Sequence, residues 1–138
     1  MMRAMSSIEL SIGELARATG LTPHTLRFYE AQGILRPAGR APSGHRRYRE
    51  TDIVWLEFVL RLKATGMPLA EIRRYAELRM RGETTVASRL TMLERHRARL
   101  AEELEALSRC SKALDDKIAV YRRQLATLAA PRKKRKTA

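Results

Sequence analysis

The sequence predicts a mainly α-helical chain: a winged helix-turn-helix domain over residues 8–82, then a long coiled-coil dimerisation helix over residues 83–130. Three observations predict it. Two short capped helical patterns follow one another across Gly20. An arginine-rich stretch broken by Pro and Gly comes next. The segment from Thr84 to Ala129 then carries an apolar heptad with no Gly or Pro.

Each element has a local cause. Ser11-Ile12-Gly13-Glu14 is a capping box, with Ser at the N-cap and Glu three residues on. Ile12, Leu15 and Ala16 form a short apolar face, and Gly20 suits the left-handed turn that ends the helix. Thr22-Pro23 caps a second helix with proline in its first turn. Leu26 and Tyr29 continue the apolar stripe, and Gly33 closes it. Two short helices joined by a Gly-containing turn make a helix-turn-helix, with small Ala16 allowing close approach and Leu21 and Leu26 locking the pair.

Residues 36–49 contain Pro37, Gly39, Pro42 and Gly44, so a helix is excluded and a small β-hairpin with a mobile tip is expected. Thr51 is expected to cap a third helix. That helix is apolar nearly all round (Ile53–Leu56, Phe58–Leu60, Leu62), as a buried hub requires. Gly66 ends it. Pro68 starts a fourth helix with Leu69, Ile72 and Ala76 facing inward, and Gly82 ends that.

The heptad has two seam positions. One is Leu90, Arg97, Leu104, Ser111, Ile118 and Leu125; the other is Val86, Leu93, Leu100, Leu107, Leu114, Tyr121 and Leu128. Eleven of these thirteen positions are apolar, which exceeds what packing on a domain of some 80 residues would use and predicts a homodimer. Arg97 and Ser111 interrupt the seam and are expected to fix register at some cost in stability. Unbroken, the helix would be roughly 65–70 Å long. Asp115-Asp116-Lys117 is a candidate break, because Asp is a poor helix-interior residue. The basic tail, residues 131–138, is expected to be disordered.

Charge points to the partner. The 138 residues carry a net charge of +13, with +5 in residues 1–80, +3 in 81–130 and +5 in the last eight. Basic side chains placed at phosphates release condensed counterions, so double-stranded DNA is the expected partner. An anionic membrane would attract the same charge, but no segment is long and apolar enough to span one. No signal-peptide core is evident near the N-terminus, so a cytoplasmic location is expected. The single cysteine, Cys110, excludes an intramolecular disulfide framework and any zinc site built on a cysteine pair within one chain. No cofactor and no metal are expected. The sequence offers no Ser/His/Asp or Cys/His constellation, no phosphate loop and no paired carboxylates in an expected cleft, which argues against an enzyme.

The second helix, Thr22–Ala31, is the candidate recognition helix, with Thr22, His24, Thr25 and Arg27 the polar residues that would reach base edges. The bland alternative is a solvated helix face. In the wing, Arg40, His45, Arg46 and Arg47 suit phosphate contact, against the alternative of a solubilising loop. Tyr48 is ambiguous: its ring is expected to pack under the wing with its hydroxyl free for a phosphate. Cys110 is a possible thiol sensor, although an inert small residue at a helix interface explains it as well. His96 is read as a surface or edge residue. A DNA-bending architectural protein is the competing function, motivated by the Lys/Arg tail.

Three runs carry a resemblance: Ile12-Gly13-Glu14-Leu15-Ala16, then Thr25-Leu26-Arg27-Phe28-Tyr29-Glu30, then Gly33-Ile34-Leu35. Together with Gly44-His45-Arg46-Arg47-Tyr48 and Gly66-Met67-Pro68-Leu69-Ala70-Glu71-Ile72, they resemble the MerR family of bacterial transcription regulators over about residues 10–80. The resemblance implies DNA contact by Arg27, Tyr29, Arg46 and Tyr48, a plausible role for His24, and antiparallel pairing of the long helix. It further implies an inverted-repeat operator in a promoter spacer, with RNA polymerase as partner and control through DNA distortion. The sensory half departs from the family pattern. Ser88 and Leu90 stand where metal-sensing members carry a cysteine, and residues 36–66 hold none of the cysteines seen in thiol- or aldehyde-responsive members. The chain also ends before the large ligand domain of drug-sensing members, so a short member is expected.

Overall fold

The computed structural model describes residues 9–131. Within them run β1 (Glu9–Leu10), α1 (Ile12–Thr19), α2 (Pro23–Ala31), β2 (Gly39–Arg40), β3 (Arg46–Arg49), α3 (Glu50–Ala64), α4 (Leu69–Met80) and α5 (Val86–Ala129), with a 3-10 turn at Glu83–Thr85 before α5. The basic run Arg132–Lys136 lies outside the described residues.

The two short helices form as their caps dictate. Ser11 Oγ accepts from the Glu14 N–H at 3.1 Å, and Glu14 Oε1 accepts from the Ser11 N–H at 3.0 Å. These bonds satisfy two donors that a helix start leaves open. Gly20 then takes φ +73°, a left-handed conformation that a side chain would strain. Thr22 caps α2 in the same way, its Oγ1 accepting from the Thr25 N–H at 3.1 Å. Leu15, Ala16, Leu26 and Tyr29 are buried where α1 and α2 cross.

The wing is a three-stranded antiparallel sheet in the order β1-β3-β2. Leu10 pairs with Tyr48, and Arg40 with Arg46. The hairpin was legible in the sequence. β1 was not, because a two-residue strand has no periodicity of its own and forms only where β3 offers an edge.

α3 is the hub. Its Trp55, Leu56, Val59 and Leu62 are buried, and Trp55 Nε1 donates to the Ile34 carbonyl at 2.8 Å. Two details differ from expectation. The helix starts at Glu50, before Thr51, because Asp52 reaches back to accept from the Arg49 N–H at 2.8 Å. Val54 is exposed, so one side of α3 is free. In α4, Ile72, Tyr75, Ala76 and Leu78 face the core, whereas Leu69 at the first turn is exposed.

α5 is continuous for 44 residues. Asp115-Asp116-Lys117 does not break it: the cost of Asp in a helix is a fraction of a kcal/mol per residue, roughly 0.7 at most, while each backbone bond of the helix is retained. The compact head ends at Arg97 and so takes in the first turns of α5. Leu93 packs partly against the head's core. His96 is buried, contrary to its reading as a surface residue. The Thr65 hydroxyl lies 2.8 Å from the Arg61 carbonyl and forms a hydrogen bond with His96 Nε2 at 2.7 Å. His96 Nδ1 is buried and has no protein partner. From residue 98 to 131 each large apolar side chain of α5 except Leu100 and Val120 is exposed within the single chain.

Candidate nucleic-acid interface

The candidate interface assembles from three elements. The first turn of α2 presents His24 outward, and Arg27 follows one turn later, also exposed. The hairpin between β2 and β3 brings His45 and Arg46 to the same place. Ser11, Ile12, Arg27, Gly44, His45 and Arg46 line one cleft of about 170 Å³. Residues nearly twenty positions apart in sequence thus share one cationic surface. Gly44 at φ +88° makes the hairpin turn that carries them there, with its N–H donating to the Ala41 carbonyl at 2.8 Å.

Thr22 and Thr25 are partly occupied by capping. The Thr22 hydroxyl donates to Thr25 Oγ1 at 3.0 Å while accepting from the Thr25 backbone. Arg40 donates to the Gly44 carbonyl at 3.0 Å and braces the hairpin from within. Arg47 pairs with Glu9 across the sheet. Arg46 Nε lies 3.0 Å from a Glu30 carboxylate oxygen.

Tyr29 and Tyr48 differ from the expectation that they contact DNA. Tyr29 is 2% exposed and Tyr48 fully buried. The ring of Tyr48 lies beneath the wing as expected, but its hydroxyl is not free: it donates to Glu30. The alternation of β3 is the cause. Arg47 and Arg49 point to one face, so Tyr48 between them points to the core. Tyr29 is buried in the head's core, where its hydroxyl finds no protein partner. Both tyrosines therefore support the surface from below.

Glu30 is the organising residue that pattern reading missed. It takes the Tyr48 hydroxyl and Arg46 at once, fastening the wing to α2. Burial pushes its carboxyl above the usual range, and the nearby Arg46, Arg27 and Arg40 only partly offset this. An acid one turn after Arg27 on an otherwise cationic surface was the available signal. Its partners lie across a fold that helical periodicity cannot describe.

Cys110 is exposed on α5. Its neighbour Arg109 is engaged with Glu105 at 3.1 Å. Among the described residues no group of three His, Cys, Asp or Glu side chains could hold a metal ion, and no helix is long and apolar enough to cross a membrane.

The chain matches two family profiles: MerR HTH family regulatory protein over residues 10–78, and MerR, DNA binding, over residues 53–117. It is 35% identical over 108 residues to an uncharacterised HTH-type transcriptional regulator of Haemophilus influenzae, covering 78% of this chain and 80% of that protein. It is 34% identical over 110 residues to the transcriptional regulator ZntR of Escherichia coli K12, covering 76% and 77% of the two chains. Among solved structures it is similar to HiNmlR, a MerR family regulator lacking the sensor domain and bound to promoter DNA. There the TM-score is 0.75 at 33% identity, over 86% of this chain and 94% of that one. It is also similar to PbrR691 of Ralstonia metallidurans CH34, solved with lead(II), at TM-score 0.54 and 29% identity over 99% and 94% of the chains. The winged head, the helix-turn-helix and these matches agree, and the chain belongs to the MerR family of helix-turn-helix transcriptional regulators.

Proposed function

We propose that this regulator acts as a homodimer on an inverted repeat in a promoter spacer, with the N-terminal turn of α2 in the major groove and the wing on the flanking backbone. The carrying observation is the cleft that joins Arg27 to His45 and Arg46. Arginine at the groove can bond guanine bidentately, and a cationic hairpin beside it sets register on phosphates. His24 and Thr25 complete the base-facing turn, with Thr22, Arg40 and Arg47 behind them holding the helix and hairpin in shape.

The exposed seam supports the dimer. Leu90, Leu104, Leu107, Leu114, Ile118, Tyr121 and Leu125 lie open to solvent in the single chain. An apolar stripe of that length is an interface in a soluble protein. A second copy of α5 offers the same stripe, and antiparallel pairing sets two heads on a twofold axis, which an inverted repeat matches. The mode of action is distortion of the spacer DNA to present the promoter to RNA polymerase; the likeness to HiNmlR, solved bound to promoter DNA, supports the promoter as the place of binding. The work is binding without catalysis, needs no cofactor, and takes place in the cytoplasm.

Footprinting on promoter fragments tests this reading. Protection of one short inverted repeat between promoter elements is expected, and sequence-blind coverage growing with length would overturn it. Arg27→Ala should cost about 1–3 kcal/mol of specific affinity, roughly fivefold to 150-fold, and relax preference at one base pair per half-site. In vitro transcription separates regulation from mere DNA bending, because an architectural protein leaves initiation unchanged.

A further inference from the structure

A second cationic surface lies away from the cleft. A groove of about 740 Å³ runs between the end of α2 and the outer face of α4. Its walls hold Arg36, Arg73, Arg74 and Arg81, with one carboxylate, Glu77. Glu77 is shared by Arg74 at 3.3 Å and Arg81 at 3.5 Å. Among the described residues neither Arg36 nor Arg73 has an acidic partner. Four guanidinium groups thus face one carboxylate in a concave site. Ala70 and half-exposed Met80 supply an apolar patch within it.

We propose that this groove docks an acidic segment of another protein, one that sets carboxylates on Arg36 and Arg73 and an apolar side chain on Met80. Arginine pairs carboxylates bidentately, and arginine clusters in a groove are a recurring means of binding acidic motifs. Two features favour a polypeptide over the DNA backbone. The apolar patch at Ala70 and Met80 has no counterpart on a phosphate chain. Glu77 in the wall would repel phosphates, whereas a peptide can present a neutral side chain there. The groove also lies at the C-terminal end of α2, by Gln32 and Gly33, while the base-facing residues Thr22, His24 and Thr25 occupy its N-terminal turn. The proposal is independent of which DNA sequence the cleft reads.

The test uses the full-length protein and a fluorescein-labelled oligoglutamate peptide carrying one leucine, followed by fluorescence anisotropy. The variant Arg36→Gln/Arg73→Gln removes two exposed charges. Lys112→Gln/Arg123→Gln removes the same charge from α5, at exposed positions outside the seam, and serves as the matched control. The groove variant should weaken peptide binding about tenfold or more and the control by less than about twofold, with binding of promoter DNA unchanged in both. Equal losses in the two variants would overturn the proposal in favour of diffuse charge attraction. A matching loss of DNA affinity in the groove variant would overturn it in favour of a backbone contact. A fall in self-association by sedimentation equilibrium would overturn it in favour of a second copy.

Discussion

The head and the shaft of α5 solve opposite problems with the same residue types. In the head, Leu15, Leu26, Leu56, Val59 and Ile72 are buried against one another. In the shaft, Leu104, Leu107, Leu114 and Leu125 are 60% or more exposed. Both regions are regular helix, and both place leucine at helical spacing. The difference is what stands opposite. The head folds its chain back, so α1, α3, α4 and the sheet bury their own apolar faces. Within the single chain the shaft has nothing opposite its stripe, which stays exposed. Burial is therefore a property of topology, and an identical heptad reads as core or as interface only once the chain path is known.

The largest expected effect comes from breaking the shaft alone. Leu107→Glu with Leu114→Glu places charges where the proposed partner packs. Sedimentation equilibrium should show monomer, and affinity for the inverted repeat should fall by about a hundredfold or more, since burying an unpaired charge costs several kcal/mol. Thermal unfolding of the head should be unaltered. A persistent dimer would show that the exposed stripe has another use.

The converse substitution lies in the head. Leu56→Ala empties a fully buried site on α3 and should destabilise the head by about 2–5 kcal/mol in denaturant unfolding, while self-association through α5 persists. If both fall together, the two regions are one cooperative unit and the contrast fails.

A smaller effect sharpens the head's own division between surface and support. Tyr48→Phe keeps the buried ring and removes its hydrogen bond to Glu30. A loss of about 1.5 kcal/mol is expected, the weak end for a hydrogen bond to a charged group, and DNA affinity should fall less than for Arg27→Ala. A larger loss of DNA affinity than for Arg27→Ala would return Tyr48 to the contact surface.

The smallest effect separates two carboxylates by the sign of their pH dependence. Bonds from Ser11 hold Glu14 below its ordinary range. Its contribution is present above the unfolded-state value and is lost as pH falls through the folded-state value. Glu14→Gln should therefore be less stable than wild type near neutrality and converge with it in acid. Glu30 is raised by burial. Its favourable protonated form is fully effective below the unfolded-state value and is lost as pH rises through the folded-state value. Relative to wild type, Glu30→Gln should therefore gain ground as pH rises across that window. Urea titrations at several pH values read both trends, and parallel curves would contradict the assigned burial of Glu30.

The sequence by itself determined what is local. The Ser11 and Thr22 caps, the turns at Gly20 and Gly33, and the ends of α1 and α2 depend on atoms within four residues of one another, so their chemistry is written in order along the chain. The seam from Val86 to Leu128 is equally legible, because a heptad is periodic. The candidate surface was only partly so: Arg27 and His45 stand out by residue type, but nothing local shows that they line one cleft. Tertiary structure alone decided that Tyr48 turns inward to Glu30, that His96 is buried against Thr65, and that Arg36 and Arg73 line one groove. Each is a meeting of residues eighteen or more apart. Such pairs are fixed by how helices and strands pack, and the packing follows from burial summed over the whole head, which no single stretch of sequence contains.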